Sequence, residues 1–111
     1  MQEFLLILKG DGMSSLSPDE MQKLFEAYKS WVHQMGDKYM AGQRLQSSGA
    51  IVMDKNNIIT DGPFLEPKEM IAGYFLIKAK DQEEANAIAA SSPHLGLYTI
   101  EVRPLVQPVM N

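Results

Sequence analysis

The side chains in this sequence that are best suited to acid–base chemistry are two histidines and a group of carboxylates. The histidines, His33 and His94, lie far apart, whereas Asp61, Glu66 and Glu69 fall within one short segment. A histidine changes its charge near neutral pH, and a carboxylate within about 4 to 6 Å raises the histidine pKa. A histidine that the fold brings beside these carboxylates is therefore a candidate proton carrier.

The two histidines have different expected environments. His33 lies about 140° around its predicted helix from the centre of the apolar stripe, so we expect it to face solvent. His94 follows a proline at the end of the second predicted helix. Either its side chain caps nearby carbonyl groups, or it shares a rim of the subunit with Asp61 and faces a concavity as a proton carrier.

Aromatic and basic side chains add further candidates for ligand binding. Tyr28 and Trp31 belong to the apolar stripe of the first predicted helix, which places them in the core unless they border a cleft and stack on a ligand. Arg103 ends the last predicted strand, where it can bind a carboxylate such as Asp61 or Glu101. The candidate ligand-binding residues are Tyr28, Trp31, Asp61, Glu66, Glu69, His94 and Arg103, and the catalytic candidates are His94 and Asp61.

The composition argues against several classes of site. There is no cysteine, which removes disulfides, thiolate zinc ligands and cysteine nucleophiles, and two separated histidines give no metal-binding spacing. No phosphate loop, nucleophile elbow or dinucleotide fingerprint occurs, so we expect no metal and no cofactor, and the sequence identifies no reaction. The formal net charge is −4 and the ten Lys and Arg residues are scattered, which disfavours direct binding of nucleic acid.

Length and hydropathy indicate a single domain. The chain has 111 residues, 45% of them hydrophobic, which is enough for one core, so we expect one domain over residues 1–111. The apolar run from Phe4 to Leu8 is too short to span a bilayer, and no basic segment precedes it as in a signal peptide. We therefore expect a cytoplasmic protein with no membrane partner.

The first strand and the first helix have the clearest patterns. Residues Glu3 to Lys9 are apolar on both alternating faces, which predicts a central strand covered on both sides. The segment Ser17 to Glu20 has the pattern of a capping box with proline at the first helical position, and an apolar stripe at helical spacing follows it. This helix ends at Gly36 or continues towards Gly42.

The rest of the chain completes an α+β pattern. The predicted elements are a hairpin of residues 50–54 and 58–60, a helical turn at 67–70, a strand at 74–79, a helix from Asp81 to Pro93 and a strand at 97–103. This order is close to the ferredoxin-like split βαβ pattern with an added or extended hairpin. Two helices cover one face of such a sheet, so the apolar opposite face predicts a homodimer.

One loop and several shorter segments carry a family signature. The loop Asp61-Gly62-Pro63-Phe64, continued by Leu65 to Glu69, resembles the DGPF branch of the YCII-related family. The other matching segments follow in order over nearly the whole chain: Phe4 to Leu6, Leu16 to Met21, Ser30 to Val32, Leu45-Gln46, Ala72 to Phe75, Ser92-Pro93 and Ile100 to Pro104.

The resemblance implies a ferredoxin-like subunit whose sheet packs on a partner's sheet to form a dimeric α/β barrel. In another branch of the family, a histidine on the first helix and an aspartate before the proline that follows the second helix form a proposed catalytic pair. Here the helix position falls on Tyr28 to Trp31, which contains no histidine, and Ser92 precedes Pro93. That pair cannot be carried over, and no residue supports the transcription-initiation label that some members have carried.

Two functional interpretations follow. In the first, each subunit binds a small molecule in a pocket between the first helix, the DGPF loop and the segment at His94, with weak acid–base catalysis as an extension. In the second, the protein is a non-catalytic regulatory or interaction dimer. An enclosed cavity beside His94 favours the first interpretation, and a filled interior beside an exposed apolar patch favours the second.

Overall fold

The computed structural model describes residues 1–60 and 69–107, which form one antiparallel sheet, one separate hairpin and two α-helices. The elements in chain order are β1 (Gln2–Lys9), α1 (Pro18–Met35), β2 (Tyr39–Arg44), β3 (Ala50–Asp54), β4 (Asn57–Thr60), β5 (Ile71–Ala79), α2 (Gln82–Ala90) and β6 (Thr99–Pro104). The main sheet has the strand order β2-β5-β1-β6. The α+β prediction is confirmed, and the topology is compatible with a ferredoxin-like subunit.

Strand β1 is central, as its two apolar faces predict. It pairs antiparallel with β5 on one side and with β6 on the other. Phe4 and Leu6 are fully buried and Leu8 nearly so, whereas the alternate residues Leu5 and Ile7 are half-buried. One face of the sheet therefore carries the core, and the side chains between these residues point to the other face.

Helix α1 begins at the predicted capping box. The Ser17 hydroxyl accepts a hydrogen bond from the Glu20 amide at 3.2 Å, and a Glu20 carboxylate oxygen accepts one from the Ser17 amide at 2.9 Å. These reciprocal bonds satisfy two amide groups that lack partners in the first turn of the helix. They also lower the pKa of the Glu20 carboxyl, since they favour its charged form.

Helix α1 ends before Gly36, so the alternative in which the helix continues towards Gly42 is wrong. The helix stops at Met35, and Gly36 follows at φ 57° and ψ −126°, a conformation that L side chains rarely adopt. A short 3₁₀ helix then leads into β2, a strand that the sequence pattern does not predict. The residues of β2, Tyr39 to Arg44, contain no β-branched side chain and one glycine, so their strand signal is weak.

The predicted hairpin is present as β3 and β4, an element added to the split βαβ pattern and separate from the main sheet. Its turn is held by the Asp54 carboxylate, which accepts hydrogen bonds from the Asn56 amide at 2.8 Å and from Asn57 Nδ2 at 2.7 Å. The hairpin forms a two-stranded sheet of its own, and Ile51, Val52, Met53 and Ile58 on it are exposed. An isolated pair of strands is marginally stable in water, so this surface is suited to packing against another surface.

The second half of the chain follows the prediction with shifted boundaries. Strand β5 begins at Ile71, three residues before the predicted start, and β6 includes Pro104 rather than stopping before it. Proline is tolerated there because β6 lies at the edge of the sheet. Helix α2 begins at the predicted cap, where the Asp81 carboxylate accepts a hydrogen bond from the Glu84 amide at 2.9 Å. The predicted turn at 67–70 falls mostly outside the described residues.

The core lies between the helices and one face of the sheet. Trp31 of α1 and Ala85 and Ala89 of α2 join the buried residues of β1 and β5 in one cluster. On the opposite face, register places Leu5 beside Leu76 and Ile7 beside Tyr74, and all four are half-buried. Neither described helix is long and apolar enough to cross a bilayer.

The backbone conformation of Gly36 gives a stability prediction. We expect Gly36→Ala to lower the free energy of unfolding by about 1 kcal/mol or more, because alanine is strained at this φ. Gly49→Ala is the matched control, since an added methyl group meets no neighbouring atom at either position and Gly49 does not have a positive φ. Denaturant melts measure the difference, and equal midpoints for the two variants would contradict the prediction.

Candidate functional site

A cavity of about 290 Å³ lies between the first half of α1 and the core face of the sheet. Apolar and aromatic side chains form most of its walls, with His94 and Arg44 among the polar groups. The helix contributes Met21, Leu24, Phe25 and Tyr28, the sheet contributes Leu8, Gly42 to Arg44 and Ala72 to Phe75, and the connecting segments contribute Met13, His94 and Tyr98.

The cavity exists because α1 is anchored through its second half. Trp31 is 4% exposed, and its Nε1 donates hydrogen bonds to the Ile88 carbonyl oxygen at 3.3 Å and to Ser91 Oγ at 3.1 Å. Six residues earlier on the same stripe, Phe25 is 53% exposed. The helix thus contacts the sheet closely at Trp31 and leaves space beneath its first turns.

Tyr28 forms the boundary between the closed core and this space. Its ring stacks on Phe75 with centroids 5.5 Å apart and an interplanar angle of 27°. Its hydroxyl lies 2.7 Å from the hydroxyl of Tyr39. Burial, together with this hydrogen bond, raises the pKa of Tyr39 well above its ordinary value, so the Tyr39 phenol keeps its proton at neutral pH.

His94 lies at the inner end of the cavity. It is only 8% exposed, and its ring centroid is 5.3 Å from that of Phe75 and 5.7 Å from that of Tyr28. Burial among these rings lowers the pKa of His94, because removal from water disfavours the imidazolium form. The neutral imidazole is therefore the dominant form at pH 7.

Ser92 fixes the orientation of the His94 ring. Its Oγ accepts a hydrogen bond from the His94 amide at 3.1 Å and lies 3.2 Å from His94 Nδ1. The His94 carbonyl oxygen in turn accepts hydrogen bonds from the amides of Leu97 and Tyr98. No described residue hydrogen-bonds the other ring nitrogen, Nε2, which leaves it available to a molecule in the cavity.

The His94 side chain thus turns into the cavity rather than capping carbonyl groups at the surface. Its expected partner Asp61 and the candidate Glu66 lie outside the described residues, as does Gly62. Glu69 is described and exposed, and it is not among the residues that line the cavity. The described carboxylates do not hydrogen-bond His94, and burial is the cause that lowers its pKa.

The other sequence candidates have separate locations. Trp31 is part of the core and does not line the cavity, whereas Tyr28 does. Arg103 is largely exposed and donates a hydrogen bond to Glu101 at 2.9 Å, one of the two carboxylates proposed for it. This bond and that from Lys9 lower the pKa of Glu101. His33 is exposed, as its helical position predicts.

Arg44 and Tyr98, which line the cavity, were not among the sequence candidates. Arg44 ends β2, a strand that was not recognised, so its direction could not be assigned from the sequence. Tyr98 follows the loop of His94, and its hydroxyl accepts a hydrogen bond from the Met13 amide at 3.2 Å. Gly12 makes this closure possible because a side chain there would collide with the Leu97 carbonyl oxygen. Neither residue has a sequence signal that distinguishes it from an ordinary surface residue.

Among residues 1–60 and 69–107, no three metal-ligating side chains come together. The cavity instead combines a neutral imidazole, tyrosine hydroxyl groups and one guanidinium with an apolar interior. Such a site can hold an apolar ring, accept or donate a hydrogen bond at His94 Nε2, and exchange a proton there.

Comparison with known proteins identifies related sequences and folds. A model of the YCII-related domain matches residues 6–108. No curated protein matches the sequence significantly. Among solved structures, the chain is similar in fold to 5-chloro-2-hydroxyhydroquinone dehydrochlorinase from Burkholderia phenoliruptrix, determined in complex with 2,5-dihydroxybenzoquinone. The TM-score is 0.56 at 17% identity, with 96% of this chain and 95% of that chain covered.

The burial of His94 gives a prediction for the pH dependence of stability. Its pKa is lower in the folded protein than the unfolded value of 6.5, so the unfolded chain binds the proton more readily. The contribution of the neutral, buried His94 to the free energy of unfolding is therefore complete above pH 6.5 and is lost as the pH falls below that value. We therefore expect acidification from about pH 7.5 to about pH 5 to lower the free energy of unfolding more in the wild type than in His94→Phe.

The control for this experiment is His33→Gln, which removes an exposed histidine on α1. It is expected to keep the acid sensitivity of the wild type. Chemical denaturation at several pH values measures all three proteins. If His94→Phe retained the full acid sensitivity, the neutral buried state of His94 would be refuted.

Proposed function

The chain belongs to the YCII-related domain family, and on this basis we propose that it binds a small, largely apolar molecule in the cavity between α1 and the sheet. The observation that carries the proposal is the position of His94, buried among aromatic rings with Nε2 unengaged by the described residues. An accessible polar atom that opens onto a largely apolar cavity favours a ligand able to complete its hydrogen bonding.

The size and lining of the cavity support a ring-shaped ligand. A cavity of about 150 Å³ lined by apolar side chains is enough to accommodate benzene, and the cavity here measures about 290 Å³. The rings of Phe25, Tyr28 and Phe75 supply faces and edges on which a planar molecule can pack. The structural neighbour from Burkholderia was determined with a six-membered quinone, which is in keeping with a ligand of this kind.

Acid–base catalysis by His94 is the extension of this proposal. A neutral imidazole accepts a proton from an acidic carbon or hydroxyl group of the ligand at Nε2 and can return it to another atom of the same molecule. Ser92 holds the ring through Nδ1 during such a transfer. We also propose the DGPF branch of the family for this chain, on the basis of the sequence segments that begin at Asp61.

A cavity-filling variant tests the binding proposal. Met21 lines the cavity and Gln22 is exposed next to it on α1. With the neutral two-ring phenol 2-naphthol as the probe, we expect the wild type and Gln22→Trp to bind, and Met21→Trp to lose at least about tenfold in affinity because its indole occupies the cavity. Titration calorimetry measures affinity, and thermal melts without the probe check folding.

Retention of wild-type affinity in Met21→Trp would show that the probe binds elsewhere. Absence of binding to the wild type at millimolar concentration would count against a ligand of two rings in this cavity. In that case the second interpretation, a non-catalytic interaction dimer, would be favoured.

We propose that the protein works as a homodimer in which the open faces of two sheets pack together as a dimeric α/β barrel. The open face presents Leu5, Ile7, Tyr74 and Leu76 in adjacent registered positions. The molecule measures 51 × 42 × 18 Å, so this face is broad relative to its thickness. The exposed apolar residues of the hairpin add surface that a second subunit can cover.

The dimer proposal has a mass measurement as its test. We expect the wild type to elute as a dimer in size exclusion coupled to light scattering at micromolar concentration. Leu76→Arg places a charge at the centre of the open face and should yield a monomer, whereas the exposed Ser30→Arg on α1 should leave the dimer intact. A monomeric wild type would refute the barrel.

A further inference from the structure

We infer that the ligand class is a small planar aromatic acid, with its ring among the aromatic side chains of the cavity and its carboxylate on Arg44 and Tyr98. This inference rests on the proposed function, because it assigns a chemical class to the occupant of the same cavity. It adds which side chains recognise the charged group of the ligand and where in the cavity that group lies.

The register of the sheet directs Arg44 towards the cavity. Gly42 pairs with Phe75 and Arg44 pairs with Gly73, so Arg44 lies two residues from Gly42 on the face that carries the core. Arg44 lines both the cavity and an adjoining groove of about 440 Å³, together with Met13 and Tyr98. Arg44 therefore lies where the cavity and the groove adjoin.

Arg44 is a cation without a described ion-pair partner. The ion pairs of the described residues join Lys9 and Arg103 to Glu101, and Lys38 to Glu84. Arg44 is also the permanently charged side chain among the described residues that line the cavity. Because the chain carries a net charge of −4, attraction of an anion to this point comes from the local guanidinium and not from the charge of the whole molecule.

Tyr98 supplies a second donor beside Arg44. Its hydroxyl accepts the hydrogen bond from the Met13 amide, which leaves the phenolic proton for an acceptor in the cavity. Burial raises the pKa of Tyr98, so the phenol keeps this proton at neutral pH, while the charge of Arg44 acts on the same hydroxyl in the opposite direction. A guanidinium and a hydroxyl donor at one place match the two oxygens of a carboxylate.

The rest of the cavity determines what must be attached to the carboxylate. Besides Arg44 and Tyr98, the walls are formed by Leu8, Met13, Phe75, the apolar side chains of α1 and His94. These walls favour an apolar planar body, and the volume admits two fused rings. An aliphatic acid would leave the aromatic faces poorly packed, and a larger polyanion would place further charges against apolar walls.

A pair of probes of equal shape tests the anion preference. The anionic 2-naphthoate and the neutral 2-naphthamide differ at the group that would meet Arg44. We expect the wild type to bind 2-naphthoate at least about tenfold more tightly than 2-naphthamide. Arg44→Gln should remove this preference and leave the affinity for 2-naphthamide unchanged. Arg103→Gln is the matched control, since Arg103 lies on the opposite face and pairs with Glu101, and it should keep the preference.

Additional measurements separate charge recognition from other effects. Higher salt should weaken the binding of 2-naphthoate and spare 2-naphthamide, and Arg44→Lys should retain part of the preference. Equal affinity of the wild type for both probes, or an equal loss of both in Arg44→Gln, overturns the assignment of an acid while cavity binding stands. Absence of binding by both naphthoate and naphthamide, together with failure of 2-naphthol, overturns the binding proposal as well.

Discussion

The attachment of α1 to the rest of the molecule through Trp31 is the constraint on which the site depends. The indole packs against Phe75 and its Nε1 reaches the last turn and cap of α2 through Ile88 and Ser91. This contact joins both helices to one face of the sheet at one end of α1. The first turns of the helix are held by their own capping box and not by packing, so the space beneath them remains open. The cavity is thus a consequence of where the helix is anchored.

The same arrangement explains why His94 is neutral. The loop after α2 must pass the anchored end of α1 to enter β6, and it carries His94 into the aromatic cluster of Tyr28, Phe75 and Tyr98. Ser92 satisfies Nδ1 without adding a charge. A carboxylate at the position of Ser92 would instead favour the protonated form of the His94 ring. Ser92 adds no charge, so it favours the neutral, basic form of His94 over the imidazolium form.

The opposite face of the sheet is under a different constraint. Its central residues Leu5, Ile7, Tyr74 and Leu76 are apolar, whereas the flanking positions carry the Lys9, Glu101 and Arg103 ion pairs. An apolar centre with a charged margin is typical of a surface that excludes water at its middle and stays solvated at its edge. The cavity and the open face lie on opposite sides of the strands, so a ligand in one and a second subunit on the other do not compete for the same surface.

Local patterns in the sequence determined the elements whose signals are short-range. The capping box at Ser17, the N-cap at Asp81, the two-faced β1 and the polar turn after Asp54 all specify their structure through neighbours a few residues away. These features predicted both helices, the central strand, the hairpin and the exposure of His33. The α+β class follows from their order.

Tertiary structure determined the remaining features of the fold and the site, because they depend on contacts between residues distant in the sequence. Strand β2 has a weak local signal and is held by its pairing with β5, and without it the direction of Arg44 could not be known. Trp31 and Tyr28 share one stripe, yet one lies in the core and the other on the cavity, since the distance between helix and sheet changes along α1. The sequence placed His94 at a helix end, but burial by Phe75 and Tyr28, which sets its ionisation, arises only when three separate segments pack together.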